Sequence, residues 1–206
     1  MAPCDYYIAK TMAHALGGVA VVSAVASIAP QPGLWLGLAE VVAMFVVIFA
    51  IQRVNNHSLS LFLFVLIAIL FGHLLSYLFD KLKKDNLLTI VTLYSIGIFA
   101  GMTALGIYDK GNFLGIKSYL FAALFGLLFA NIISLFIPDV EAFNVDKWLG
   151  LAGVSLFALY TASDIQVLKT HAKSCSSAPN YPKEAMELFM DLINIFTHMA
   201  KYMNSD

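Results

Sequence analysis

The sequence predicts an all-α membrane protein with seven transmembrane helices, and three observations carry that prediction. Of its 206 residues 60 % are hydrophobic and only 12 % are charged, about half the charged share of a soluble domain. Mean hydropathy is +0.82. The apolar residues fall into runs near the ~20 residues that cross a bilayer as a helix, separated by short polar or proline-bearing links. Residues 1–206 therefore read as one seven-helix domain whose first partner is the lipid bilayer. The formal net charge is -1, so no basic field points to nucleic acid. Cys4 and Cys175 are the only cysteines and lie in polar flanks, giving neither a disulfide framework nor a metal pattern.

The first span is residues 7–29, ended by Pro30-Gln-Pro-Gly33. Its Lys10, apolar run and small residues near Ala29 also resemble a secretory signal peptide, but Tyr6, Tyr7 and His14 fit one poorly, so it reads as a retained span. The second is 34–51, with Glu40 inside it and Gln52-Arg53 at its exit. The third is 59–78 and carries His73, followed by the polar link Asp80-Lys-Leu-Lys-Lys-Asp85. The fourth, 87–108, is rich in small residues (Gly97, Ala100, Gly101, Ala104, Gly106), which let helix backbones approach closely in lipid. A turn at Asp109-Lys-Gly-Asn112 leads to the fifth, 116–137, interrupted by Asn131. An acidic loop starting at Pro138 precedes the sixth, 148–168, which has Asp164 near its end. The link 169–183 contains Pro179 and Pro182 and leads to the last helix, 184–203.

Seven crossings put the termini on opposite faces. Counting Lys and Arg by face gives seven on the N-terminal side (Lys10, Arg53, Lys110, Lys117, Lys169, Lys173, Lys183) and five on the other (Lys81, Lys83, Lys84, Lys147, Lys201). That bias favours a cytoplasmic N-terminus.

The last helix concentrates the residues that are hardest to bury. Glu187, Asp191, Asn194 and His198 fall at i, i+4, i+7 and i+11, one stripe on a helix otherwise made of Leu, Phe, Met and Ile. An acid inside such a bundle must face protein or a wet cavity, which makes it a functional candidate. Asp164 lies about one turn from the N-terminal-side end of the sixth helix, and Asp191 about two turns into the last, which starts on that side. At ~1.5 Å rise per residue both lie within roughly 11 Å of that end. Arg53 leaves the second helix at the same face.

Two carboxylates brought together in a low dielectric share a proton and titrate as one coupled unit. An arginine beside them holds one member charged. Spacing leaves two readings open: a protonation latch, or a static pair that fixes helix packing. Glu40, nearer the opposite face, is either a cation contact at a pore mouth or an interfacial charge. Asn194 and His198 either line a wet path or make interhelical hydrogen bonds. His14 and His73 read as hydrogen-bonded packing residues, and Glu187 as solvated.

Enzyme chemistry is not expected. A rhomboid-like protease needs Gly-x-Ser-Gly, and Gly153-Val-Ser155 is followed by Leu. A presenilin-like protease sets its acids in Tyr-Asp and Gly-x-Gly-Asp, whereas these stand in Ser163-Asp164 and Met190-Asp191. A retinal protein needs a lysine deep in the last helix, and Lys201 is at its end. No His-x-x-x-His or other metal-ligand spacing occurs, so neither a cofactor nor a fixed structural metal site is expected.

Leu159-Tyr-Thr-Ala-Ser-Asp-Ile-Gln166 and Glu187-Leu-Phe-Met-Asp-Leu-Ile-Asn-Ile-Phe196 resemble the sixth and seventh helix motifs of the Bax inhibitor-1 family. Phe99-Ala-Gly-Met-Thr-Ala-Leu-Gly106, the turn from Lys110 to Phe113 and the Gln52-Arg53 exit extend the similarity over nearly the whole chain. The resemblance implies two three-helix layers around a central C-terminal helix. It also implies a pH-sensitive calcium leak, with calcium as the permeant ion, and suppression of cell death in eukaryotic members. It maps the family's acid pair onto Asp164 and Asp191 and its arginine onto Arg53. Two departures stand out: Ser163 replaces the tyrosine common before the first acid, and the family arginine aligns with either Gln52 or Arg53.

The function this predicts is a passive calcium leak gated by an Asp164–Asp191 latch. The alternatives are a non-conducting protein that binds other membrane proteins and a proton-coupled transporter. The membrane of residence is the plasma or inner membrane in a prokaryote and an endomembrane such as the endoplasmic reticulum in a eukaryote.

Overall fold

The computed structural model describes residues 6–108, 111–134, 144–174 and 179–204. Cys4, Cys175, Asp109, Lys110, the start of the acidic loop at Pro138 and residue 206 lie outside the described residues. The helices are α1 (Tyr7–Ile28), α2 (Leu34–Arg53), α3 (His57–Leu74), α4 (Ser76–Lys84), α5 (Leu88–Tyr108), α6 (Lys117–Ser134), α7 (Val145–Lys173) and α8 (Tyr181–Met203), with a single 3₁₀ turn at Phe113–Ile116 before α6. Among the described residues all regular structure is helical. Six of these elements are long and apolar enough to cross a membrane: α1, α2, α3, α5, the 3₁₀ turn with α6, and α7. The chain is a multi-pass integral membrane protein. α8 is not among those six, because Lys183, Glu184, Glu187, Asp191 and Lys201 dilute its apolar residues.

Contacts divide the chain into two compact units. The first is Met1–Asp85 with His171–Phe189, and the second is Asn86–Thr170 with Met190–Asp206. In the first, α1 packs on α3 and α4, and α2 packs on α3. Gly72 makes the α1–α3 approach possible: a Cβ there would lie 2.6 Å from Val25 Cβ and 2.9 Å from the Val22 carbonyl oxygen. The start of α8 is tied to this unit through Asn180, whose amide donates to Ser60 Oγ (2.7 Å) and the Val54 carbonyl (3.3 Å). Lys183 Nζ donates to the Gln52 carbonyl at 2.7 Å, placing a cation at the C-terminal end of α2.

The third span is shorter than the sequence predicts. The apolar run continues to Phe79, but at Leu75 ψ is -2°, well off the helical value, and α3 gives way there to α4. What reads as a polar link over residues 80–85 is mostly the second half of this short amphipathic helix. Ser76, Phe79 and Leu82 are buried at i, i+3 and i+6, while Lys81, Lys83 and Lys84 face outward. Ser76 Oγ donates to the Pro30 carbonyl (3.4 Å) and Gln31 donates to Asp80 (3.4 Å), holding α4 against the link between α1 and α2.

In the second unit, the small residues of α5 do not form the packing face expected of them. The buried stripe is Val91, Ser95, Phe99, Thr103 and Gly106. Gly97 and Gly101 have nothing within 4 Å of where a Cβ would stand. Only Gly106 serves close approach, its Cβ position lying 2.8 Å from both the Ala162 carbonyl and Ile165 Cβ on α7. α7 begins and ends beyond its predicted bounds, and its Gly150 meets α8 backbone: a Cβ there would stand 2.7 Å from the Tyr202 amide nitrogen.

Candidate functional site

Asp164 and Asp191 both belong to the second unit, and both are almost fully buried, at 6 % and 4 % exposure. α7 brings Asp164 inward on a face that includes Thr161, Ser163 and Ile165, all at 0 % exposure. Tyr160, one turn earlier on α7, feels the charge of both carboxylates and of Lys117. The two acids and a phenol thus share one electrostatic neighbourhood, within α7 and the C-terminal part of α8.

The cation that the structure places on Asp164 is Lys117, with Nζ 2.8 Å from Oδ1. Lys117 opens α6 directly after the 3₁₀ turn, and its side chain keeps 38 % exposure, so the ammonium reaches from a wetter level to a buried carboxylate. Arg53, the expected partner, is the last residue of α2, belongs to the first unit and is exposed.

Two further α7 side chains grip the same connection between α5 and α6. Gln166 donates through Nε2 to the Gly111 carbonyl (2.7 Å) and accepts at Oε1 from the Leu114 amide (3.3 Å). Lys169 Nζ donates to the carbonyls of Ile107 (2.6 Å) and Gly106 (3.2 Å), the acceptors that a helix end leaves open. Asn112 caps the 3₁₀ turn by accepting from the Gly115 amide at 2.9 Å. Asp164, Gln166 and Lys169 therefore hold the chain from Gly106 to Lys117 at three successive points. Sequence reasoning missed Lys117, Gln166, Lys169 and Tyr160 as members of this set. The signal available was the Asp-Ile-Gln spacing and a lysine three residues beyond Gln166.

Ser163 is fully buried, and its Oγ has no hydrogen-bond partner. Asn194 turns back on its own helix, donating to the Met190 carbonyl at 2.8 Å. His198 stacks on Phe157 with centroids 5.6 Å apart, directly against Gly153, and its Nδ1 is buried without a hydrogen-bond partner. Lys201 joins Asn131 Oδ1 and Asp146 Oδ1, both at 2.8 Å, at the other end of this unit. Glu187 is exposed, as its place near the start of the last helix predicts.

Glu40 lies in the first unit, where its Oε1 is 2.5 Å from His73 Nδ1 and its Oε2 is buried with no hydrogen-bond partner. The side chains are 12 % and 19 % exposed, so the pair links α2 to α3 within the apolar layer. His73 is thus a hydrogen-bonded residue, as read from the sequence, and so is His14, whose Nδ1 lies 2.8 Å from the Lys10 carbonyl oxygen.

Comparison with known proteins finds relatives over most of the chain. An uncharacterized membrane protein of Streptococcus pyogenes serotype M3 is 27 % identical over 176 residues, covering 83 % of this chain and 74 % of its own. Protein lifeguard 4 of Mus musculus is 27 % identical over 160 residues, covering 73 % of this chain and 60 % of its own. Inner membrane protein YbhL of Escherichia coli K12 is 25 % identical over 165 residues, covering 77 % and 69 %. The family profile described as inhibitor of apoptosis-promoting Bax1 matches residues 6–206, and the chain belongs to this Bax inhibitor-1 family.

Proposed function

We propose that the protein is a pH-sensitive calcium leak, in which protonation of the Asp164–Asp191 pair sets the conductive state. The observation that carries this reading is the burial of both carboxylates at 6 % and 4 % exposure within one unit, beside Tyr160 and Lys117. Two buried acids in one neighbourhood titrate as a coupled pair. Each proton gained or lost changes the charge at a contact between α7 and α8. Lys117 supplies the cation for the charged state at Asp164, the role expected of Arg53, and it ties that charge to the segment entering α6. A change of one pK unit is worth about 1.4 kcal/mol, enough to tilt a two-state contact about tenfold.

In this reading α8 is the seventh crossing, and the N-terminus is cytoplasmic. Its 23 residues span about 34 Å at 1.5 Å per residue, sufficient for a hydrocarbon core of ~30 Å. Leu188, Phe189, Leu192, Ile195, Phe196 and Ala200 are buried, so protein rather than lipid surrounds the helix that carries Asp191. Labelling of single cysteines placed at Lys173 and Asn204, after replacement of Cys4 and Cys175 by serine, should find them on opposite faces. Labelling from one face would remove the seventh crossing.

The activity itself is tested in liposomes that hold only the purified protein, with calcium and proton indicators inside. A leak moves calcium down its gradient without stoichiometric proton counterflow. Stoichiometric proton movement would make the protein a transporter, and no calcium entry above protein-free liposomes would leave an adaptor that acts through other membrane proteins.

A further inference from the structure

In the first unit, α1 and α3 leave between them a groove of about 300 Å³, lined by Ala13, His14, Gly17, Leu61, Phe64 and Val65 among others. Its floor is closed, because a Cβ on Gly18 would run into Phe64 and Phe189 at 2.7 to 2.9 Å. Its wall is open at Gly17, where a Cβ would meet nothing within 4 Å. His14 is the one ionisable side chain in the lining.

His14 also belongs to a cluster at the end of α1 and α3 from which these helices start. Its ring stacks on Tyr181 at 5.9 Å and meets His57, the first residue of α3, edge-on at 6.1 Å. Lys10 Nζ stands 5.6 Å from the centre of the Tyr181 ring. Because His14 Nδ1 is engaged by the Lys10 carbonyl, Nε2 is the ring nitrogen that remains for a further partner. The acid of this neighbourhood, Glu184, lies 2.9 Å from His171 Nδ1. Lys10 and His57 are exposed.

An apolar trough open to the side, with a lysine and two histidines at its mouth, matches one class of ligand. We propose that this groove binds an anionic phospholipid, its phosphate among Lys10, His57 and His14 and one acyl chain running along α1 past Gly17. The chemistry is complementary at both ends. A lysine at the membrane surface contributes about 1 kcal/mol toward anionic lipid, the imidazoles offer N–H donors to phosphate oxygens, and a tyrosine at that level is at home in the interfacial layer. A zwitterionic lipid offers the chain without the net charge, and free phosphate offers the charge without the chain. The site does not depend on the calcium reading, since every residue in it lies outside the unit that holds Asp164 and Asp191.

Native mass spectrometry of the purified full chain, released from micelles containing equal phosphatidylglycerol and phosphatidylcholine, tests the site. One phosphatidylglycerol should be retained in preference to phosphatidylcholine, and millimolar inorganic phosphate should not displace it. The Lys10→Gln/His57→Gln double variant should lower that preference by about fivefold or more, the fold-change expected for loss of the one lysine contact together with the His57 donor. Gly17→Leu, which places a side chain in the open wall, should lower retention of both lipids, whereas Gly97→Leu on α5 should leave it unchanged. Equal retention of the two lipids, displacement by phosphate, or wild-type behaviour of the double variant and Gly17→Leu would overturn the proposal.

Discussion

α2 and α7 are both long enough to cross a bilayer, yet they are solvated by different things. In α2 only 17 % of the most apolar stretch is buried by protein, and in α7 the figure is 67 %. α2 shows Trp35, Phe45, Val46 and Phe49 to its surroundings. α7 turns inward Thr161, Ser163, Asp164 and Gln166. A helix solvated by lipid must be apolar nearly all round, because lipid offers no partners to a polar group. A helix solvated by protein is free to carry them. The two helices that carry the acids, α7 and α8, are therefore those that look least like membrane spans, and α8, which carries Asp191, is the extreme case.

The acids of the two helices follow the same division. Glu40 on α2 is held by one neutralisable imidazole, His73, across a single helix contact. Asp164 on α7 sits beside Lys117, in a set that also includes Gln166 and Lys169 and holds Gly106, Ile107, Gly111 and Leu114. The first arrangement ties two helices together. The second couples a charge to the path of the backbone.

The largest expected effect separates the helices by packing. Gly150→Val on α7 drives a Cβ into the backbone of α8 at Tyr202 and His198, which cannot step aside, and should cost about 3 kcal/mol or more. Gly97→Val on α5, where the space is open, should stay within ~0.5 kcal/mol. Thermal unfolding in detergent reads both, and equal costs would erase the distinction between lipid-facing and protein-facing glycines.

Next comes the charge. Lys117→Met removes the cation beside Asp164 and should destabilise by about 2 kcal/mol near neutral pH. That is less than the ~3–5 kcal/mol of a wholly buried pair, because Lys117 is itself 38 % exposed. Lys169→Met, which frees the Gly106 and Ile107 carbonyls, should cost about 1–2 kcal/mol by the same measurement. Glu40→Leu should be the mildest, within ~1 kcal/mol, since the lost bond to His73 is offset by no longer burying Glu40 Oε2 without a partner. If Glu40→Leu proved as costly as Lys117→Met, the two acids would not differ in kind.

Much of this was legible in the letters, for reasons that the same division explains. Lipid-solvated spans are set by composition, so α1, α2 and α5 start and end within a few residues of where the apolar runs predict. The burial of Asp164 and Asp191 was legible because an acid within such a run must face protein or a wet cavity. The break at Leu75 was not, because the apolar run passes straight through it. Nor was the Lys117 partnership, which joins residues 47 positions apart. Lys117 and Arg53 both stand at helix ends on the predicted N-terminal face, and only the folded chain shows which cation Asp164 meets. The expected packing stripe of α5 failed for a related reason: small residues permit close approach, but only a neighbour such as α7 at Gly106 makes use of it.

The central claim is that Asp164 and Asp191 titrate as a unit and set the pH dependence of calcium flux. The most direct test is that flux, measured from pH 5 to 8 (about the range over which such a latch would serve) in liposomes holding wild-type protein, Asp164→Asn, Asp191→Asn or the double variant. Asparagine keeps the size and hydrogen-bonding capacity of the side chain and removes only the titration. Each single variant should flatten the profile nearly as much as the double, because removing either acid dissolves a coupled pair. Variants that keep the wild-type profile would contradict the latch and leave the buried acids as a static packing device.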